Sequence, residues 1–175
     1  MRTLSLTFDD GPGEVTAPLL DVLARHGARA TFFFVGELIA GREDELARAA
    51  RAGHEIGVHG WVHEDHRDDP RARAAGAMRT ADLLEAACGV RPRLFRPPFG
   101  STSPELEAAM ADRGLRTVLW DVDPRDWDDP GVDAIHERTL AAVAPGAIVL
   151  LHERPDTVTA VDRILGDGWR SVIVP

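Results

Sequence analysis

Two adjacent carboxylates and a pair of histidines are the residues of this chain whose types and spacing best suit catalysis. Asp9 and Asp10 end an apolar, alternating run that begins at Leu4 and is stopped by Gly11 and Pro12, a pattern that predicts a strand. Two acids at the end of a buried strand are costly to keep charged unless a cation compensates them. A metal ion or an arginine would supply that positive charge.

His59 and His63 stand four residues apart, a spacing that places two imidazoles on one face of a helical turn, as in known zinc sites. Taken alone, the pair is weak evidence for a metal, because histidines four residues apart also occur on plain exposed helices. With the carboxylate of Asp10 as third ligand, the set leaves one coordination position for water, as a catalytic zinc site requires. His66 is predicted to have a surface or loop role, with a competing role as a ligand as the alternative. The remaining histidines are predicted to have surface or loop roles: His26, His54 and His136.

Asp9 is then the candidate general base, because consecutive strand residues point in different directions and only one of the two acids need bind the metal. Arg96 could hold Asp9 ionised. The stiff Pro97-Pro98-Phe99-Gly100 loop follows, and the backbone N–H of Phe99 could donate to a developing oxyanion. Other interpretations of these residues stay open. Asp9 and Asp10 could form a plain polar turn, and Arg96 could be a surface arginine. An aspartyl nucleophile is a further possibility, although such nucleophiles usually occur as Asp-x-Asp.

His152 follows the apolar run at residues 147–151 and is the candidate general acid for a leaving amine. Asp126 is the candidate partner that would raise its pKa and orient it. Trp127 and Leu150 could form an apolar wall for a small acyl group, and they suit a core equally well. A capping or buried structural histidine is the alternative for His152.

The elements that must position these residues alternate between strand and helix patterns. Strands are predicted at residues 4–8, 30–35, 55–59, 93–96, 116–120, 147–151 and 171–174. Helices are predicted at residues 15–26, 43–51, 69–88, 103–113, 132–143 and 157–165. Strict alternation predicts a parallel sheet, whose strand C-termini share one face. For 175 residues we expect a single α/β domain over residues 1–175, a distorted or incomplete (β/α) barrel of about seven parallel strands.

Composition excludes several classes of protein. The net charge of -9, from 20 basic and 29 acidic residues, argues against nucleic acid as a partner. A single cysteine, Cys88, excludes an internal disulfide and a thiolate zinc cluster. No apolar stretch reaches the ~18 residues of a membrane span. Because the first strand begins almost at once, we expect no signal peptide: the chain is then a cytoplasmic monomer, or secreted or cell-wall associated if a leader has been removed.

The five motifs, in this order, resemble those of the polysaccharide deacetylase family, also called the NodB homology domain or carbohydrate esterase family 4. The resemblance covers nearly the whole chain. The matching segments are Thr7-Phe8-Asp9-Asp10-Gly11-Pro12, His59-x-x-x-His63, Arg96-Pro97-Pro98-Phe99-Gly100, Asp126-Trp127 and Leu150-Leu151-His152. Three positions depart from the usual pattern: Gly60 replaces a Ser or Thr, Glu153 replaces an Asp, and Pro124 replaces a small hydroxyl residue.

The resemblance implies a distorted (β/α) barrel that hydrolyses N-acetyl groups on amino sugars such as chitin oligomers or peptidoglycan. It also implies one divalent ion, usually zinc, with cobalt or another divalent ion as the alternative. The implied roles are Asp9 as base, Asp10, His59 and His63 as metal ligands, Arg96 as the residue orienting the base, Leu150 in the acyl pocket and His152 as acid. Two alternatives remain open: a deacylase of a small biosynthetic amide in the cytoplasm, and a catalytically inactive carbohydrate-binding module.

Overall fold

Strands and helices alternate along the chain in the predicted order. The structure, a computed structural model, describes residues 2–64 and 69–175. Within them the strands are β1 (Thr3–Gly11), β2 (Thr31–Phe34), β3 (Glu55–Val58), β4 (Leu94–Phe95), β5 (Arg116–Thr117), β6 (Ile148–His152) and β7 (Arg170–Ser171). The α-helices are α1 (Thr16–Arg25), α2 (Glu43–Arg51), α3 (Pro70–Cys88), α4 (Pro104–Ala111), α5 (Val132–Ala142) and α6 (Pro155–Gly166). None of these helices combines the length and the apolarity needed to cross a bilayer.

The sheet is parallel throughout and forms a distorted barrel, as the alternation predicts. Its strands lie in the order β5-β4-β3-β2-β1-β6, and β7 pairs with the first residues of β1. After β5, a parallel bridge between Val122 and Val149 connects the chain to β6. The two ends of the strand order therefore meet, and the carboxyl ends of the strands surround one opening.

Side chains of β2 show how the sheet is buried on both faces. Phe32 and Phe34 belong to the larger core between the sheet and the helices, and Phe32 lies 5.1 Å from Phe8 of β1, centroid to centroid. Phe33, between them, belongs to a smaller cluster with Leu94 on the other face. This alternation explains why the predicted strand reads as a continuous apolar run rather than an alternating one.

The strand β5 is shorter than predicted, for a reason that involves the site. The sequence predicts a strand over residues 116–120, but the ladder ends at Thr117. The next two carbonyl groups, of Val118 and Leu119, accept hydrogen bonds from the Arg96 side chain instead of from a neighbouring strand. A buried guanidinium therefore takes the place of a strand neighbour.

The prediction of a surface or loop role for His54 is correct for the loop, since the residue lies between α2 and β3, but wrong for the surface, because His54 is buried. Its Nδ1 accepts a hydrogen bond of 3.1 Å from the backbone N–H of Ala30, and its ring lies edge-on to Phe32. Burial, with a smaller effect of nearby Arg29 and Arg48, lowers the pKa of His54 to about 4. The neutral ring thus satisfies a buried backbone donor.

The other histidines assigned to the surface do lie there. His26 pairs with Asp162 at 2.7 Å and His136 pairs with Asp167 at 2.6 Å. His66 lies outside the described residues.

We expect acid to destabilise the protein through His54. The unfolded chain binds this proton near the ordinary pKa of 6.5, whereas the folded protein does so near 4. Stability should therefore fall as the pH decreases from 6.5 to 4, by at most about 1.4 kcal/mol per pH unit from this group. Denaturant unfolding of the parent and of His54→Gln across this range should show a shallower slope for the variant. Equal slopes would contradict the assignment.

Candidate active site

The carboxyl ends of the strands enclose a cavity of about 450 Å³. Most of the candidate residues line it: Asp9, Asp10, His59, His63, Phe99, Trp127, Leu150 and His152. The other two, Arg96 and Asp126, are buried and contact the lining residues from behind. The structure thus brings together all the residues that the sequence analysis assigned to catalysis, metal binding and substrate binding.

The two neighbouring carboxylates at the end of β1 both approach His59, with Asp9 Oδ2 at 3.7 Å and Asp10 Oδ1 at 3.4 Å from its Nε2, but their other partners differ. Asp10 has a φ of 72°, a left-handed conformation that residues other than glycine adopt uncommonly. One oxygen of Asp9 contacts Arg96 at 2.9 Å, whereas Asp10 Oδ1 faces His59 and His63. The two acids therefore occupy chemically different surroundings although they are adjacent in the chain.

The Asp10, His59 and His63 side chains form a group suited to a metal ion. Asp10 Oδ1 lies 3.4 Å from Nε2 of each imidazole, and the candidate ligand atoms all lie within 4.8 Å of one another. This carboxylate oxygen is buried and has no hydrogen-bond partner, which is costly unless a cation binds it. The residues present therefore fit a divalent ion with mixed imidazole and carboxylate ligands.

The tautomer of His59 supports the same interpretation. Its Nδ1 lies 2.8 Å from the carbonyl oxygen of Arg96. Because a carbonyl oxygen can only accept, Nδ1 carries the proton and Nε2 keeps its lone pair for a metal. Such a hydrogen bond to the distal nitrogen is typical of histidine ligands.

The expected helical turn between His59 and His63 is not present. Residues 59–64 form a loop after β3, and Gly60 has a φ of +83°. The loop nevertheless brings the two imidazole centroids to 5.3 Å. The spacing thus predicted the proximity correctly but the local structure wrongly, because a glycine with positive φ turns the chain where a helix would have done so.

Arg96 is fully buried and holds Asp9 from the inside of the barrel. Its Nη1 donates to Asp9 Oδ1 at 2.9 Å and to Thr7 Oγ1 at 2.6 Å. The remaining donors, Nε and Nη2, bind the Val118 and Leu119 carbonyls at 3.2 and 2.9 Å. The guanidinium therefore compensates a buried carboxylate while satisfying its own hydrogen-bonding groups.

His152 and Asp126 form a second polar pair across the cavity. The imidazole Nδ1 lies 2.7 Å from Asp126 Oδ1. The other carboxylate oxygen accepts from the His152 backbone N–H and from Thr157 Oγ1, both at 2.7 Å. Burial opposes protonation of His152, but the hydrogen bond and charge of Asp126, helped by Asp9 and Asp10, raise its pKa above the ordinary value.

Aromatic side chains flank the mouth of the cavity. Phe99 has a φ of 58° and is 60% exposed, and Trp127 is 41% exposed. The Phe99 ring meets His63 edge-on at 4.4 Å, whereas Leu150 is buried in the cavity wall. The sequence analysis assigned no role in binding to Trp120 or Arg154, which also line the cavity. In the sequence, the feature that points to a binding role is position: Trp120 ends a predicted strand, and Arg154 lies two residues after His152.

Glu153, one of the departures from the family pattern, is half-buried beside the end of β1, with its Oε1 atom fully buried. Its backbone N–H donates to the Asp9 carbonyl at 3.2 Å, and its carboxyl group hydrogen-bonds the Thr16 hydroxyl. The carboxyl group packs where a side chain on Gly11 would stand. Burial raises the pKa of Glu153 to about 8, although Thr16 and Gly13 act in the opposite direction.

Comparisons with known proteins agree with the geometry. The family model described as polysaccharide deacetylase matches residues 1–118. A chitooligosaccharide deacetylase from Bradyrhizobium sp. (strain ANU 289) is 41% identical over 155 residues, which are 87% of this chain and 71% of that relative. The chain belongs to the polysaccharide deacetylase family.

Solved structures show the same fold. The structure of the peptidoglycan deacetylase PdaC from Bacillus subtilis superposes with a TM-score of 0.92 at 33% identity, over 99% of this chain and 88% of that one. A carbohydrate esterase family 4 pseudoenzyme from Bacillus anthracis superposes with a TM-score of 0.90 at 28% identity, over 98% of this chain and 63% of that one. The fold is thus shared by a protein named as a deacetylase and by one named as a pseudoenzyme.

Removing Arg96 should destabilise the protein strongly, because it leaves Asp9 buried and unpaired. We expect Arg96→Met to lower the free energy of unfolding by roughly 3–5 kcal/mol. The double variant Asp9→Asn/Arg96→Met should lose less than the sum of the two single changes, because the neutral amide needs no counter-charge. Denaturant unfolding of the four proteins measures this coupling. Additive losses would show that the ion pair does not act as a unit.

Proposed function

We propose that this protein is a metal-dependent hydrolase that removes N-acetyl groups from N-acetylglucosamine-type sugars, such as chitin oligomers or peptidoglycan. One observation carries the proposal: the unpartnered Asp10 Oδ1 and two imidazole Nε2 atoms share a cavity with Asp9 and His152. The names of relatives, which include chitooligosaccharide and peptidoglycan-N-acetylglucosamine deacetylases, support the substrate class.

Asp10, His59 and His63 would hold one divalent ion, with zinc as the expected ion and cobalt as the main alternative. When bound, such an ion lowers the pKa of a coordinated water from ~15.7 toward ~7 and polarises a carbonyl group. The rest of the reaction depends on side chains of this chain.

Asp9 acts as the general base. Arg96 binds its Oδ1 and orients the carboxylate, so that Oδ2 can accept the proton of the attacking water. The backbone N–H of Phe99 donates to the oxygen on which negative charge develops. Addition of the water to the acetyl carbon then leads to cleavage of the C–N bond, giving acetate and a free amine.

His152 acts as the general acid for the departing amine nitrogen. Asp126 binds Nδ1, which leaves the Nε2 proton for transfer to the sugar nitrogen. The hydrogen bond and charge of Asp126 raise the pKa of His152 against the effect of burial, which is the direction that suits an acid. Leu150 and Trp127 provide an apolar wall that suits the acetyl methyl group.

The open cavity favours an oligosaccharide over a small biosynthetic amide. It shares Phe99 and Gly100 with a second depression of about 440 Å³, which extends to residues 101–103. A closed pocket would suit a small amide, whereas two adjoining depressions offer space for more than one sugar unit. The candidate base, acid and ligands are all present together, which argues against the inactive binding module.

Acetate release tests the proposal directly. The purified protein, supplied with Zn²⁺ or Co²⁺, is incubated with N-acetylglucosamine oligomers and with peptidoglycan, with and without a chelator. We expect release that the chelator abolishes and that added metal restores. Saccharide binding without release would support the inactive module, whereas neither binding nor release would favour a small amide substrate.

Substitution of the proposed base and acid should separate catalysis from metal binding. Asp9→Asn and His152→Asn should each reduce kcat by about 10²–10⁴, while bound metal stays at the level of the parent protein. His136→Asn, which changes a histidine in a surface ion pair, is the matched control and should leave kcat unchanged. Full activity in either site variant would eliminate the assigned role.

A further inference from the structure

The loop that carries both candidate histidine ligands is attached to the protein by its backbone carbonyl groups. The Gly60 carbonyl accepts from the Thr80 hydroxyl at 2.8 Å and from the backbone N–H of Gly36 at 3.1 Å. The next carbonyl, of Trp61, accepts from the backbone N–H of Glu37 at 2.9 Å. Two consecutive peptide groups directly after His59 are thus fixed from outside the loop.

Gly60 makes this external support necessary. The usual Ser or Thr of the family pattern would place a hydroxyl in the loop itself, whereas Gly60 has no side chain. Gly60 adopts its φ of +83° without strain, but a glycine is equally free to adopt other backbone conformations. A donor from another element must therefore hold the peptide in place, and Thr80 of helix α3 supplies a hydroxyl.

The surroundings of Thr80 are shaped for this contact. Thr80 is fully buried, and a Cβ on Gly36 would collide with both its hydroxyl and the Trp61 ring. A Cβ on Gly76 would stand 3.1 Å from Trp61 Cβ. The Arg79 guanidinium lies 3.4 Å from the Trp61 ring centroid. Helix α3 therefore approaches the loop closely enough for a direct hydrogen bond.

We propose that Thr80 is a positioning residue for the candidate metal centre, acting through the Gly60 carbonyl on the orientation of His59 and His63. The inference rests on the proposed function, because it assumes that these histidines bind the ion. Without the hydroxyl, the buried Gly60 carbonyl keeps only the Gly36 donor, and the loop loses its hydrogen bond to α3. The imidazoles are then less well preorganised around Asp10, and metal affinity falls.

Metal affinity of Thr80→Val tests this inference with a readout other than turnover. Competition with a chromophoric chelator gives the Kd for Zn²⁺, and the visible absorption of the Co²⁺ protein reports the ligand geometry. We expect an affinity about 10- to 100-fold weaker than that of the parent protein, with an altered Co²⁺ spectrum. Thr80→Ser keeps the hydroxyl and should retain the parent affinity.

Thr139→Val is the matched control. Thr139 is as completely buried as Thr80, and each hydroxyl has the carbonyl four residues earlier in its own helix as an acceptor, Ile135 at 2.8 Å and Gly76 at 3.1 Å. Of the two, only the Thr80 hydroxyl also reaches the loop, at the Gly60 carbonyl. This variant removes the same chemical group at the same burial without touching the loop, so its Kd should equal that of the parent. Equal loss of affinity in both valine variants would overturn the inference by revealing a general effect of destabilisation.

The outcomes separate this inference from the proposed function. An unchanged Kd in Thr80→Val overturns the positioning role even if the enzyme deacetylates sugars. Weaker binding confined to Thr80→Val supports the role even if the parent protein releases no acetate. If Thr80→Val does not fold, Thr80→Ala removes the hydroxyl without placing a methyl group against the loop. A parent protein that binds neither metal overturns both proposals.

Discussion

Buried Asp9, which depends on Arg96 as its partner, determines the architecture of the site. Its side chain is 3% exposed, and the Arg96 side chain that compensates it is not exposed at all. Arg96 starts at the end of β4, reaches Thr7 and Asp9 on β1, and takes the carbonyl groups that would have extended β5. One ion pair thus links three parts of the barrel, so loss of Arg96 would affect the fold as well as the proposed base.

Around this pair, the other acidic side chains differ in their hydrogen-bond partners and in their burial. Asp126 is surrounded by donors and stabilises the charged form of His152. Burial raises the pKa of Glu153 to about 8, which reduces the negative charge that it adds beside Asp9 and Asp10. The likeness to a pseudoenzyme of the same fold shows that the barrel alone does not specify catalysis. The function of this chain therefore has to be argued from its side chains.

Much of this arrangement could be predicted from the sequence, because the alternating pattern fixes where strands end and polar residues follow those ends. The pairing of His152 with Asp126 and of Arg96 with Asp9 follows from that placement. Burial of His54 could not be predicted, since its partner is a backbone N–H at Ala30 that carries no sequence signal. The loop at His59 and the support from Thr80 were equally inaccessible, because both depend on the close approach of helix α3.

The bridge between Val122 and Val149 has a consequence for how the barrel can fail. It forms the seam of the barrel, and it lies four residues before Asp126 and three before His152. A local opening of the seam would bare strand edges to pairing with another chain. The same opening would pull apart the loop and strand that hold the acid pair. The Val122–Val149 bridge therefore both covers strand edges that could aggregate and keeps His152 next to Asp126.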